Sequence, residues 1–204
     1  MDRVRSRRHL LRAALIAPVA LAIGSAVRAE DAPSSGCGRP GPACAVTTPP
    51  RLTRGPKPVA IIIPDAEVDA PIEVNEIIDG KMTAPSGPWV VGWYRESGRL
   101  GEADNMVLAG HLDYWGVGKA VFYHVGALKK DDDIQVIGDD NQQYPFKVEW
   151  VRKIDMTKTG ADGIRQIVGK TADERLTLIT CGGDFDKETG EYKERTVVRA
   201  IPVQ

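Results

Sequence analysis

The 204-residue chain has almost no net charge, 27 Lys and Arg standing against 28 Asp and Glu. That balance excludes the broad electrostatic footprint of a nucleic-acid binder or of a protein drawn to an anionic membrane surface. Cysteine and histidine are scarce, with three of each, and an odd number of thiols cannot all pair within one chain. No apolar run reaches the roughly 20 residues that span a bilayer. Internal repeats are missing, and so is any EF-hand pattern, so the scattered carboxylates define no calcium loop. What is present is ordinary: 42% hydrophobic and 27% charged residues, the composition of a soluble globular domain. Function has to come from a local site.

The first 29 residues have the layout of an export signal. Arg3, Arg5, Arg7 and Arg8 form a basic n-region, an apolar h-region runs from about Ala13 to Ala26, and "VRA" (Val27–Ala29) offers small residues for cleavage. "SRRHLLR" (Ser6–Arg12) is of twin-arginine type, an address rather than an anchor. An ordinary secretory signal and a retained N-terminal anchor stay open beside it. The expected location is therefore extracytoplasmic: cell surface, membrane-associated through the N-terminus, or secreted.

Residues 30–58 follow as a linker, with seven of the chain's fourteen prolines between Asp31 and Pro58. Cys37 and Cys44 in this stretch can close a small disulfide loop in an oxidising compartment, or remain as thiols in a tail. If they pair, Cys181 is the one left over.

Residues 59–204 read as a β domain. Short apolar or β-branched runs recur: "AIIIP", "WVVGWY" (Trp89–Tyr94), "NMVLAGH" (Asn105–His111), "DIQVIG", "YPFKVEWVRKI", "RLTLITC" and "RTVVRAIPV". "DDNQQ" separates two of them as a hairpin turn. Phe146, Val148 and Trp150 alternate with Lys147, Glu149 and Val151, giving one buried face. Helical signals are confined to a turn or two in "VFYHVGALKK" and to "ADGIRQIVGK", where Ile164, Ile167 and Val168 share a face and Gly169 is the stop. Seven or eight strands with little helix predict a closed barrel or a sandwich.

Two runs end on chemically active residues. His111 closes "NMVLAGH" and Cys181 closes "RLTLITC", while Arg195 opens "RTVVRA". A thiol nucleophile needs a proton-transfer partner and donors for an oxyanion, and three strand ends can bring those parts together. An inert, buried cysteine is the plainer alternative. Asp113 is placed either to orient the imidazole or a substrate amine, or to cap the strand end. Tyr114 and Trp115 are groove wall or packing. His124 reads as a structural or surface residue, and Asp131–Asp133 as a solvated turn.

Taken together, "LAGHLDY", "LTLITCGG" and "GEYKERTVVRA" resemble the signature of the sortases, cysteine transpeptidases of bacterial cell surfaces. The double glycine and "DFD" after the cysteine, with "VGWY" ahead of "GEADNMVLAGH", are most similar to the class F branch. The resemblance runs from about Pro58 to Val203 and implies a closed barrel of about eight strands with one or two short helices. It implies Cys181 as the nucleophile on the Thr–Gly carbonyl of an LPXTG-like sorting signal, and His111 as general acid and base. It further implies Arg195 as the oxyanion or backbone-binding cation, with Lys193 and Arg199 as competitors for that place. Thr180 corresponds to a position that helps bind the tetrahedral oxygen, and Ala109 and Ile179 to apolar groove-lining positions. The acyl group would pass to an amine of a cell-wall precursor or a pilin lysine, with no metal and no cofactor. The connection Asp155–Glu174 falls where the family varies to select substrates. Rival readings are an exported cysteine peptidase or L,D-transpeptidase-like enzyme, whose Ser–x–Gly–Cys motif "LITCGG" does not match, and a non-catalytic wall-binding β domain.

Overall fold

The computed structural model describes residues 54–188 and 190–203. The expected export signal, most of the expected linker, and Cys37 and Cys44 lie outside the described residues. Among the described residues eight strands build a barrel, β1 (Pro58–Ile63), β2 (Val68–Asn75), β3 (Val91–Tyr94), β4 (Asn105–Ala109), β5 (Asp133–Gly138), β6 (Gln143–Asp155), β7 (Arg175–Asp186) and β8 (Glu191–Pro202), and four short ones form two separate two-stranded ribbons. The barrel closes in the order β1-β2-β3-β4-β7-β8-β6-β5. Two neighbour pairs, β2–β3 and β4–β7, are parallel, and the others are antiparallel. One α-helix, α1 (Met156–Val168), fills the β6–β7 connection, and single 3-10 turns lie at Pro64–Ala66 and Val125–Ala127. The sequence expectation of a closed, mainly β barrel with little helix is met.

The burial pattern explains why some strands alternate and others do not. In β5, and in β1 beyond the register shift between Pro58 and Ala60, buried residues alternate with more exposed ones, giving period two. In β3 and β4 every residue is buried, because both faces of the sheet are covered there. The barrel interior takes Val91, Trp93, Met106, Leu108, Leu176, Leu178, Val198 and Ala200. The outer face takes Tyr94, Val107, Ala109, Ile179 and Val197, against which Ile167 and Val168 of α1 pack. "NMVLA" is a continuous apolar run for that reason.

Several boundaries differ from the sequence reading. The "WVVGWY" strand begins only at Val91, and Trp89 is left 59% exposed. The alternation expected through Trp150 and Val151 breaks, because a register shift falls between Val148 and Trp150. The extra residue turns Trp150 to the outer cluster and Val151 to the core. The helix begins well before "ADGIRQIVGK", at Met156, where the Asp155 side chain caps it by accepting from Thr157 N at 2.9 Å.

A buried polar network fixes the other end of α1. Asn105, 1% exposed, donates to Ile167 O at 3.0 Å and Gly169 O at 3.1 Å. Its Oδ1 accepts from Thr177 Oγ1 at 2.6 Å, and Arg199 Nη2 also donates to Ile167 O at 2.9 Å. Carbonyls at a helix end have no intrahelical donor, and Asn105 and Arg199 supply one. Burial holds the Arg199 guanidinium below its ordinary pKa. Replacing Asn105 by Ala strands the Gly169 carbonyl and the Thr177 hydroxyl and leaves Ile167 O to Arg199 alone, and is expected to cost about 2–4 kcal/mol. Urea unfolding checks this: the midpoint should fall with an unchanged slope, and a loss below about 1 kcal/mol would mean water replaces the amide.

Candidate active site

The parallel β4–β7 pair sets the stage. Its register runs Met106 to Leu176, Leu108 to Leu178 and Ala109 to Ile179. Continued past the end of β4, it brings His111 level with Cys181. On the other side of β7, Cys181 pairs directly with Arg195 of β8. The three residues the sequence singled out thus sit on one level of three adjacent chain segments. All three line a cavity of about 240 Å³, with Ala109, Ile179 and Tyr94 as its apolar wall and Met82–Pro85 opposite.

Each side chain is held differently. Cys181 and His111 are half-buried. The His111 Nε2 lies 3.0 Å from Pro85 O, and its ring stands edge-on to Tyr114 at 5.2 Å. A carbonyl only accepts, so Nε2 is assigned the proton and the neutral ring keeps Nδ1 as a base. Arg195 Nη1 donates to Tyr192 O at 2.9 Å and Glu194 O at 3.0 Å. Arg199 pairs instead with Thr177 and serves the end of α1. Gly110 admits the close approach of Phe122, whose ring would lie 2.6 Å from an added Cβ. A side chain there would push the His111 segment off the barrel.

Residues 61–203 match the sortase domain family. The chain belongs to the sortases. Solved structures agree at the level of fold. Sortase A of Corynebacterium diphtheriae (lid mutant) is 19% identical with a TM-score of 0.56, covering 76% of this chain and 74% of that one. Sortase A of Listeria monocytogenes is 22% identical with a TM-score of 0.53, over 72% and 86% of the two chains. Sortase C-1 of Actinomyces oris is 24% identical with a TM-score of 0.54, over 72% and 74%. No curated protein matches the chain.

Within this sortase barrel the remaining candidates fall in different places. Ala109 and Ile179, 9% and 8% exposed, line the cavity. Thr180, also at its edge, is 3% exposed, and strand alternation sends its side chain to the face opposite Cys181, where Oγ1 has no hydrogen-bond partner among the described residues. Asp113 lies on the rim, at the start of a two-stranded ribbon (Asp113–Tyr114 with Gly118–Lys119), and its carboxylate accepts from the Tyr192 hydroxyl. The imidazole's hydrogen bond goes to Pro85 instead. His124 sits 3.8 Å from Glu67 on the surface, and Trp115 at the ribbon tip is 97% exposed.

Two features were not visible in the sequence. β7 and β8 do not stop at Cys181 and Arg195 but run on to Asp186 and Glu191 as a hairpin arm. The apolar pattern ends where the core ends, while the hydrogen-bond ladder continues. A bulge between Gly182 and Phe185 lies just beyond the thiol, and Gly183 takes φ 71° there, where a Cβ would lie 2.6–2.9 Å from the Glu194 side chain. Tyr192, the second feature, stands inside the quoted "GEYKERTVVRA", yet no periodicity marks it.

Tyr94, 2% exposed, closes the cavity wall by donating to Thr83 O at 2.6 Å. Burial pushes its phenol from 10.0 up to about 12. The folded chain therefore keeps this proton over a window in which the unfolded chain has lost it. Its contribution is complete below pH 10 and drains away as pH rises toward 12. Urea unfolding from about pH 9 to about pH 11 should show stability falling, with a shallower fall in Tyr94→Phe.

Proposed function

We propose that this protein is an exported transpeptidase that cuts an LPXTG-type sorting signal after its threonine and passes the acyl group to an amine. The convergence of Cys181, His111 and Arg195 on one cavity level carries this reading. In the proposed reaction the neutral His111 ring takes the proton of the Cys181 thiol, and the resulting thiolate attacks the threonine carbonyl carbon. Arg195, with two N–H groups anchored on backbone carbonyls, turns its remaining donors to the oxyanion. As the C–N bond breaks, protonated His111 gives its proton to the departing glycine amine, leaving a thioester. An incoming amine then attacks the thioester, His111 takes a proton from it, and the thiolate leaves.

Ala109 and Ile179 furnish apolar walls for the signal, and Thr180 closes the cavity beside the thiol. With the Thr180 hydroxyl on the far face, the oxyanion falls to Arg195. The acceptor is proposed as an amine of a cell-wall precursor or a pilin lysine, consistent with export by residues 1–29 and tethering by 30–58. No helix among the described residues is long and apolar enough to cross a membrane. An affinity to class F rests on "CGGDFD" and on "VGWY" before the histidine motif.

Incubation with LPXTG-type peptides and triglycine tests this by mass spectrometry. A Cys181 thioester and a ligated product are expected. Cys181→Ala should abolish both, while His111→Ala and Arg195→Ala should each cost on the order of 10²–10⁴ in rate with unchanged unfolding midpoints. Absence of adduct with every peptide, or an adduct that persists in Cys181→Ala, would sink the proposal.

A further inference from the structure

We infer that Tyr192 is a positioning residue, a latch that ties the histidine-bearing segment to the arginine-bearing strand across the mouth of the cavity. Its two polar groups act in opposite directions. The phenol O–H donates to the Asp113 carboxylate, two residues past His111. The backbone carbonyl accepts from Arg195 Nη1 at 2.9 Å. One residue therefore holds both partners of the thiol, linking segments 79 positions apart in sequence.

The surroundings are built for this. Past the bulge, Phe185 becomes the cross-strand partner of Tyr192, and the rings meet edge-on at 5.1 Å. Phe185 thereby limits the rotation of the phenol. Asp113 begins the ribbon that carries Tyr114, whose ring meets His111 at 5.2 Å. A pull on Asp113 is thus felt at the imidazole from two sides, through the chain and through Tyr114. The other backbone bonds lie at the base of the ribbon, where Ala120 N to Leu112 O and Phe122 N to His111 O join its two arms and Val121 N reaches Pro88 O. Charge-assisted hydrogen bonds of the phenol–carboxylate kind are about twice as strong as neutral ones, and this one spans the site rim.

The inference draws on the transpeptidase reading only for its kinetic arm. Tyr192→Phe removes the hydroxyl and keeps the ring against Phe185, and Asp113→Ala removes the acceptor. Each should raise amide hydrogen exchange across residues 111–119 by about tenfold, and the double variant should do no more than either single change. Asp113→Asn keeps an acceptor oxygen and should retain most of the protection. In peptide transfer, Tyr192→Phe should lower kcat by about tenfold with little change in KM, since it disorders catalytic groups rather than the groove. Exchange in Tyr192→Phe equal to wild type, or effects that multiply in the double variant, would overturn the latch. Coupled exchange in a protein that forms no acyl-enzyme would sustain the latch and fell the transpeptidase reading instead.

Discussion

The parallel pairing of β4 with β7 is the constraint on which the site depends. Side chains alternate with a period of two along a strand, so a slip of one residue would send Cys181 to the face opposite His111. The register is therefore fixed by burial on both faces. Met106, Leu108, Leu176 and Leu178 fill the barrel, while Val107, Ala109 and Ile179 fill the outer cluster. A slip of one residue would send each set to the other's face. Packing energy thus sets the level at which the thiol and the imidazole meet.

A parallel pair also needs a long crossover, and here it comprises the 113–119 ribbon, β5, β6 and α1. That crossover is used twice. Its first part places the ribbon on the site rim, and its last part lays α1 over the outer cluster, beside the cavity wall. The Asn105, Thr177 and Arg199 network pins the end of α1 to β4, β7 and β8, the same strands that carry His111, Cys181 and Arg195. Helix docking and site alignment share one set of anchors. Arg199 is spent on that task, and the arginine four residues earlier is the one paired with Cys181 across β7 and β8.

Legibility in the sequence followed the core. Seven of the eight barrel strands showed as apolar runs, with Cys181 and His111 at the limits of two of them, while β2, interrupted by Asp69, Pro71 and Glu73, did not. The pattern alone left barrel and sandwich open, and the family resemblance pointed to the barrel. The hairpin arm past Cys181 was not, because its ladder is held by backbone hydrogen bonds and "GGDFD" has nothing to bury. The bulge at Glu149 was equally silent: one extra residue reverses the alternation without altering composition. Long-range polar pairs were the least legible. Nothing in "HLD" or "GEYKE" links Asp113 to Tyr192, since the link exists only once β8 has returned beside β7.

The same distinction bears on how rigid each part of the site is. Cys181 rides on a strand flanked on both sides, and its position is set by the core. The His111 segment leaves β4 immediately after Ala109 and is held from there by Gly110 N on Ile179 O, by the Pro85 carbonyl and by the rim. Arg195 lies where the barrel gives way to the arm. The thiol is therefore placed by hydrophobic packing, and the imidazole and the guanidinium by individual hydrogen bonds. In the transpeptidase proposed above, a site so divided keeps its thiol fixed while the imidazole and the guanidinium adjust around the peptide.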